Sequence, residues 1–183
     1  MNILVCITGA SGSIYGVRLI EELKKTNHTI HLILSDSGKE ILTFETGKTV
    51  EDLKKKIDYY YENNDLFAAP ASGSFQLDAM IILPCSMKTL SAIAHGYGDT
   101  LISRAATCRL KEEKPLILVP RETPIDLTGL RNMVQAREAG ATILPAMPGF
   151  YHKPTTIDDL VKFIVGKIFD QLSMKHALYK PWK

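Results

Sequence analysis

Apolar and polar positions along this chain fall into short, regularly spaced blocks. Ile3 to Ile7 is an unbroken apolar run and predicts a buried strand over Ile3–Thr8. Ile14, Val17, Ile20 and Leu23 then share one face at helical spacing, so Ser13–Thr26 reads as a helix. Thr29–Ser35 reads as a second strand, Ser37–Phe44 as a short helix with Gly47 as its C-cap, and Val50–Ile57 as a polar, exposed helix. Tyr59-Tyr60-Tyr61 reads as a half-exposed strand or an aromatic packing element. Asn63 to Phe75 has no period and is long for a connection; such loops often carry function. Ala79–Pro84 is a short buried strand, Ser86–His95 a helix of small residues, and Leu101–Lys111 a further helix. Pro115–Val119 is a strand, Leu127–Ala139 a helix stopped by Gly140, and Thr142–Leu144 the last strand. After an irregular proline-rich segment, Thr156 caps a helix with Ile157, Leu160, Val161, Ile164 and Ile168 on one side. The residues beyond about Gln171 form a polar-aromatic tail, which reads as packing on a partner subunit.

Strands alternating with helices predict an α/β fold with a parallel sheet, read as one domain over residues 1–183. Parallel sheets hold ligands outside the carboxyl ends of their strands. The candidates at those ends are Gly9-Ala10-Ser11, Ser35, Ser86 to Thr89 (with Met87 and Lys88), Arg121-Glu122, and the run up to Phe150-Tyr151. Gly9 to Gly16 follows a strand and opens a helix, so it reads as a phosphate-binding corner with the Ser11 and Ser13 hydroxyls at its mouth. Its spacing, G-x-x-G-x-x-x-G, is not that of the dinucleotide fingerprint, and a tight turn that only packs helix on strand is the competing reading.

Composition narrows the classes. The net charge is +2 and no basic cluster outlasts Lys54-Lys55-Lys56, which argues against a nucleic-acid binder. No apolar run is long enough to span a membrane, and Met1-Asn2 leads into a strand without a basic leader. Cys6, Cys85 and Cys108 are odd in number and fit reduced thiols in a cytoplasm. No C-x-x-C or His/Cys cluster suggests a metal.

Two helix starts and an arginine at the strand ends suit a phosphorylated ligand, because a guanidinium meets phosphate oxygens in a planar fork. Arg104 and Lys111 stand seven apart and share a helix face, which serves either a ligand or plain solvation. Lys167 flanks an apolar stripe, where most lysines snorkel; Glu45 at a helix end ordinarily faces solvent; Glu122 can simply pair with Arg121. No Ser/His/Asp spacing supports nucleophilic catalysis, and no Asp-Asp-x-x-Asp magnesium motif occurs.

From end to end the chain resembles the UbiX-type flavin prenyltransferases. The runs that carry the resemblance are Thr8-Gly9-Ala10-Ser11-Gly12, Ala71-Ser72-Gly73-Ser74-Phe75, Leu83 to Leu90, Val119 to Pro124, and Pro148-Gly149-Phe150-Tyr151. Each is weak alone, but their order and spacing are specific. The resemblance implies a three-layer, flavodoxin-like Rossmann fold and a homododecamer. It implies transfer of a dimethylallyl group from dimethylallyl phosphate to N5 and C6 of reduced FMN, without a metal. The product, prenylated FMN, would go to a UbiD-type decarboxylase. By the same resemblance Gly9, Ala10, Ser11, Ser35, Ser86, Met87, Lys88, Thr89 and Arg121 hold FMN. Arg104, Lys111, Arg121, Glu122, Tyr151 and Lys167 surround the prenyl phosphate, and Ser11, Glu45 and Glu122 handle protons. Some relatives carry arginine where Lys167 stands; lysine keeps the charge and loses the fork. A flavin-dependent cysteine decarboxylase on the same fold is the nearest rival, but it needs a histidine after the first helix, and none occurs here before His28. A non-catalytic flavin carrier and an enzyme that itself decarboxylates aromatic acids are more distant rivals.

Overall fold

A computed structural model describes residues 1–182. The strands β1 (Asn2–Ile7), β2 (Thr29–Leu34), β3 (Tyr59–Glu62), β4 (Ala79–Cys85), β5 (Leu116–Pro120) and β6 (Thr142–Ile143) form one sheet. All neighbours are parallel and the order is β3-β2-β1-β4-β5-β6. The helices are α1 (Ser13–Lys24), α2 (Asp36–Thr46), α3 (Val50–Lys54), α4 (Met87–Ala94), α5 (Leu101–Lys111), α6 (Leu127–Glu138) and α7 (Ile157–Gln171). This is the expected three-layer α/β arrangement, and the order reverses between β1 and β4, where doubly wound sheets open a crevice.

The uninterrupted apolar run of β1 follows from burial on both faces. Ile3, Val5 and Ile7 join Val17 and Ile20 of α1 and Ile164 and Ile168 of α7 in one core. Leu4 and Cys6 point the other way, onto Leu90 and Ile93 of α4 and Ala105 of α5. Each fully buried Leu or Ile side chain contributes about 1.5–3 kcal/mol relative to exposure, so the two cores together hold the layers. Gly16 lets α1 approach the switch point: a Cβ there would lie 2.7 Å from the Leu83 carbonyl oxygen and 2.8 Å from the Ile7 side chain.

One expectation changes, and the tail shows contacts within its own chain. The helix read over Val50–Ile57 stops at Lys54, because Asp58 is needed to start β3. Its N–H donates to the Ile30 oxygen (3.0 Å) and its carboxylate accepts from the Ile30 N–H (2.8 Å). The tail after Gln171 packs on α7 of its own chain. The Tyr179 ring sits over Gly166, where a Cβ would meet it at 2.6 Å. The Tyr179 hydroxyl donates to Asp170 at 2.5 Å, and His176 lies 3.0 Å from the same carboxylate. Tyr59 to Tyr61 do form a half-exposed strand, at the sheet edge.

Candidate active site

The crevice between β1 and β4 is tied together by Thr8, a buried residue that ends the first apolar run. Its hydroxyl donates to the Pro84 carbonyl (2.8 Å) and accepts from the Ser86 N–H (2.7 Å), which fixes the Gly9 loop against the start of α4. A cavity of about 410 Å³ opens there, bordered by Gly9, Ser35, Ser37, Ser86 to Thr89 and Glu122. Ser86 caps α4: its hydroxyl accepts from the Thr89 N–H (3.2 Å) and donates to the Thr89 hydroxyl (3.0 Å). The N–H groups of Met87 and Lys88 lie in the first turn, where a helix has no internal acceptor, and so face the cavity side with their dipole. Ser35 caps α2 in the same way, accepting from Gly38 N–H at 3.1 Å. Gly9 must be a glycine here, since a Cβ would stand 2.7 Å from that of Ser37. Hydroxyls, free helix N–H groups and a close backbone approach make this a fitting cradle for the phosphate and ring of FMN.

The other helix start behaves differently from the sequence-based expectation. Gly12 caps α1 with a left-handed φ of 106° and offers no side chain. The gap is filled from within the chain by Glu45, near the end of α2. Its carboxylate accepts from the Gly12 N–H at 2.9 and 3.2 Å and from the Ser13 N–H at 2.9 Å. The Gly12 and Ser13 N–H groups at the positive end of α1 thus already have an anionic acceptor from within the chain. Burial would push the Glu45 carboxyl up, but the Ser11 hydroxyl, the two amides and the charge of Arg121 outweigh it and hold the group below the usual glutamate range. Ser13 is fully buried and does not line the mouth, contrary to expectation.

Arg121 leaves the end of β5 and donates from Nε to the Ser11 carbonyl at 3.1 Å, which turns its guanidinium over the Gly loop. Tyr15 stands below, its ring 2.9 Å from where a Gly12 Cβ would be. Burial raises the Tyr15 hydroxyl against the opposing charge of Arg121. Glu122 makes no ion pair with Arg121 among the described residues; its carboxylate accepts from the Thr123 N–H at 3.1 Å and borders the cavity. Ser11, Glu45, Arg121 and Glu122 therefore gather at one crevice.

The remaining basic residues do not join them within one chain. Arg104 donates to the Ala71 carbonyl (3.1 Å), and Lys111 lies beside Gly73, its ammonium 3.2 Å from a Cβ built there and 3.4 Å from Glu112. Both flank the 71–75 segment. Lys167 is held by Asp170 at 2.7 Å and by the Tyr179 hydroxyl at 3.3 Å. The Asp170 hydrogen bond raises the ammonium, burial opposes, and Tyr179 assists. Tyr151 stands near the same tail, edge-on to Phe163 and Trp182. Convergence of Arg104, Lys111, Arg121, Tyr151 and Lys167 inside a single chain is thus not what the fold gives. Sequence reading also missed Thr8, whose signal was a lone hydroxyl closing an otherwise apolar strand, and Asn63, Thr100 and Ser103, which border the cavity from the irregular loop and the start of α5.

Comparison with known proteins extends this picture. The family model described as Flavoprotein matches residues 1–169. The flavin prenyltransferase UbiX of Methanocaldococcus jannaschii is 46% identical over 182 residues, spanning 100% of this chain and 98% of that protein. The solved structure of AnUbiX (PadA1) in complex with FMN and dimethylallyl pyrophosphate superposes with a TM-score of 0.97 at 40% identity, over 100% of this chain and 97% of that one. A dodecameric FMN-dependent UbiX-like decarboxylase from Escherichia coli O157:H7 matches with a TM-score of 0.97 at 39% identity, over 100% of both chains. FMN-dependent cysteine decarboxylases such as TvaF share the fold at 20% identity. With 46% identity to a relative over the full length and a Flavoprotein family match over residues 1–169, this chain belongs to the UbiX family of flavin prenyltransferases.

Proposed function

We propose that the chain joins the dimethylallyl group of dimethylallyl phosphate to N5 and C6 of reduced FMN. We propose further that it acts in the cytoplasm and releases the prenylated FMN to a UbiD-type decarboxylase. The observation that carries this reading is the full-length likeness to a protein solved with FMN and a dimethylallyl ester together. Reduced FMN, when bound, supplies the electron-rich nitrogen and carbon that accept the five-carbon unit. Gly9, Ala10, Ser11, Ser35, Ser86, Met87, Lys88 and Thr89 hold its phosphate and ring edge.

As the allylic C–O bond breaks, the electron pair leaves with the phosphate, and negative charge builds on its oxygens. Fixed cations at that position lower the barrier, since they need no reorganisation as the charge develops. Arg121 is pre-aimed by its bond to the Ser11 carbonyl. Arg104, Lys111 and Lys167 add charge, and Tyr151 donates a hydrogen bond. Because these four stand apart from Arg121 in one chain, neighbouring copies must bring them over the crevice. Their exposed or half-exposed positions support that arrangement, as does the dodecameric assembly of the Escherichia coli relative. Ser11, bonded to Glu45, takes the proton that N5 loses and delivers it to the prenyl double bond, which lets the far carbon of that bond join C6, and Glu122 with the departed phosphate receives the proton lost from C6.

Mixing two inactive variants tests the shared site. Arg121→Met alone and Lys167→Met alone should each lower kcat/KM at least about hundredfold. Co-assembled, they should recover a fraction of wild-type activity, because some crevices then receive both cations. No recovery in verified mixed oligomers would place both residues in one copy's site.

A further inference from the structure

Gly129 stands in the first turn of α6, a helix that holds none of the flavin or phosphate residues named above. A glycine inside a helix is unfavourable relative to alanine. The backbone does not call for it here, since the left-handed glycines are Gly12, Gly47, Gly96 and Gly140. What the position calls for is space. A Cβ at Gly129 would lie 2.4 Å from the end methyl of Met87, closer than to Asp126 Oδ1 at 3.0 Å or Ile125 Cγ2 at 3.3 Å. At Gly16 the nearest atom is a backbone oxygen; at Gly129 it is the tip of one side chain from α4. The room left by Gly129 is therefore used by Met87.

Met87 also stands at a boundary. It borders the flavin cavity and a smaller cavity of about 300 Å³ between α4 and α6, and Glu122 is the other residue common to both. The rest of the smaller cavity is largely polar, with Ser91, Asp126, Thr128 and Asn132. The Met87 side chain is thus part of the wall between the two, with its tip seated on Gly129.

We infer that Gly129 is a positioning residue for FMN: it receives the Met87 methyl and so keeps the thioether clear of the flavin cavity. This rests on the proposal that FMN lies along the start of α4. A methyl group added at Gly129 pushes from α6 toward α4, and the first turn of α4 is the edge of the flavin cavity. Methionine is unbranched and yields to such a push, so the fold survives and the flavin competes with the displaced side chain.

FMN affinity, by flavin fluorescence quenching, and melting of the FMN-free protein are measured for wild type, Gly129→Ala, Met87→Ala and the double variant. Gly129→Ala should bind FMN about three- to tenfold more weakly, the range set by holding Met87 off its preferred rotamer. Its FMN-free form should melt no lower than wild type, because alanine is the better helix former. In the Met87→Ala background the added methyl meets no thioether, so Gly129→Ala should change FMN affinity by less than about twofold. A general disturbance of α6 would instead persist in both backgrounds. Equal FMN affinity in wild type and Gly129→Ala, an equal loss in both backgrounds, or a Gly129→Ala protein that does not fold would each overturn the inference and leave the flavin site standing. A wild type that binds no FMN would overturn the flavin site and the inference with it.

Discussion

Removing the carboxylate of Glu45 uncaps α1, and the cost can be worked from the contacts. Two backbone N–H groups, those of Gly12 and Ser13, lose a charged acceptor at 2.9 Å. Hydrogen bonds to charged groups contribute about 1.5–3 kcal/mol each when well shielded. Glu45 is exposed in the single chain, so screening brings the sum down toward that of a good N-cap, about 1.5 kcal/mol. For a domain of this size that is a fall in Tm of about 3–6 °C for Glu45→Ala. Glu45→Gln keeps one carbonyl acceptor and should lose about half as much. The sign with pH is fixed by the lowered carboxyl of Glu45. The cap is fully present above the ordinary glutamate pKa of about 4.3 and is lost as pH falls through the lower folded value. The gap between wild type and Glu45→Gln should therefore close in acid. FMN affinity, measured by flavin fluorescence quenching, should stay within about threefold, since the phosphate site proposed above lies on the α4 side; prenyl transfer should slow at least about tenfold. A Glu45→Ala protein as stable as wild type, or one whose FMN affinity changes by more than about tenfold, would refute the placement of the anion sites.

Gly16→Val should cost about 3 kcal/mol or more in chemical denaturation, because the side chain enters the Leu83 carbonyl and Ile7 at under 3 Å; a loss below about 1 kcal/mol would mean α1 can shift away freely. Asp170 is pulled down to about 2: burial opposes, and the hydrogen bonds of Lys167, Tyr179 and His176 outweigh it. Its hold on the tail is thus present above about pH 4 and fades as pH falls through about 2. Trp182 is the one tryptophan in the sequence and sits edge-on to Tyr151, so its fluorescence should titrate in that window in wild type and be flat in Asp170→Asn; a transition near neutrality in both would refute the assignment. Cys85 is pushed up to about 12 by burial, so it should resist alkylation in the folded protein and react only on unfolding; stoichiometric labelling of Cys85 in native buffer would contradict its packing.

Much of the fold was legible in the chain because its local signals agree. The apolar runs of β1 and β4, the helical stripe from Ile14 to Leu23, and the stops at Gly47 and Gly140 each point one way, and the parallel sheet follows. The site was legible where function coincides with a strand end, as at Ser86 to Thr89 and Arg121. It was misread where an interaction joins distant positions. Nothing near Gly12 says that Glu45, 33 residues on, will occupy its helix start. Likewise, the tail's return to α7 depends on Gly166 leaving room for the Tyr179 ring, a long-range fit with no period in the sequence. Arg104, Lys111 and Lys167 look equivalent as isolated cations, and only the fold shows that one chain holds them apart.

The most direct test of the central claim is anaerobic incubation of the FMN-loaded, chemically reduced protein with dimethylallyl phosphate, followed by mass spectrometry of the released flavin. Flavin heavier by one five-carbon unit is expected, formed in proportion to the phosphate set free. Unmodified flavin from protein that binds both ligands would contradict prenyl transfer.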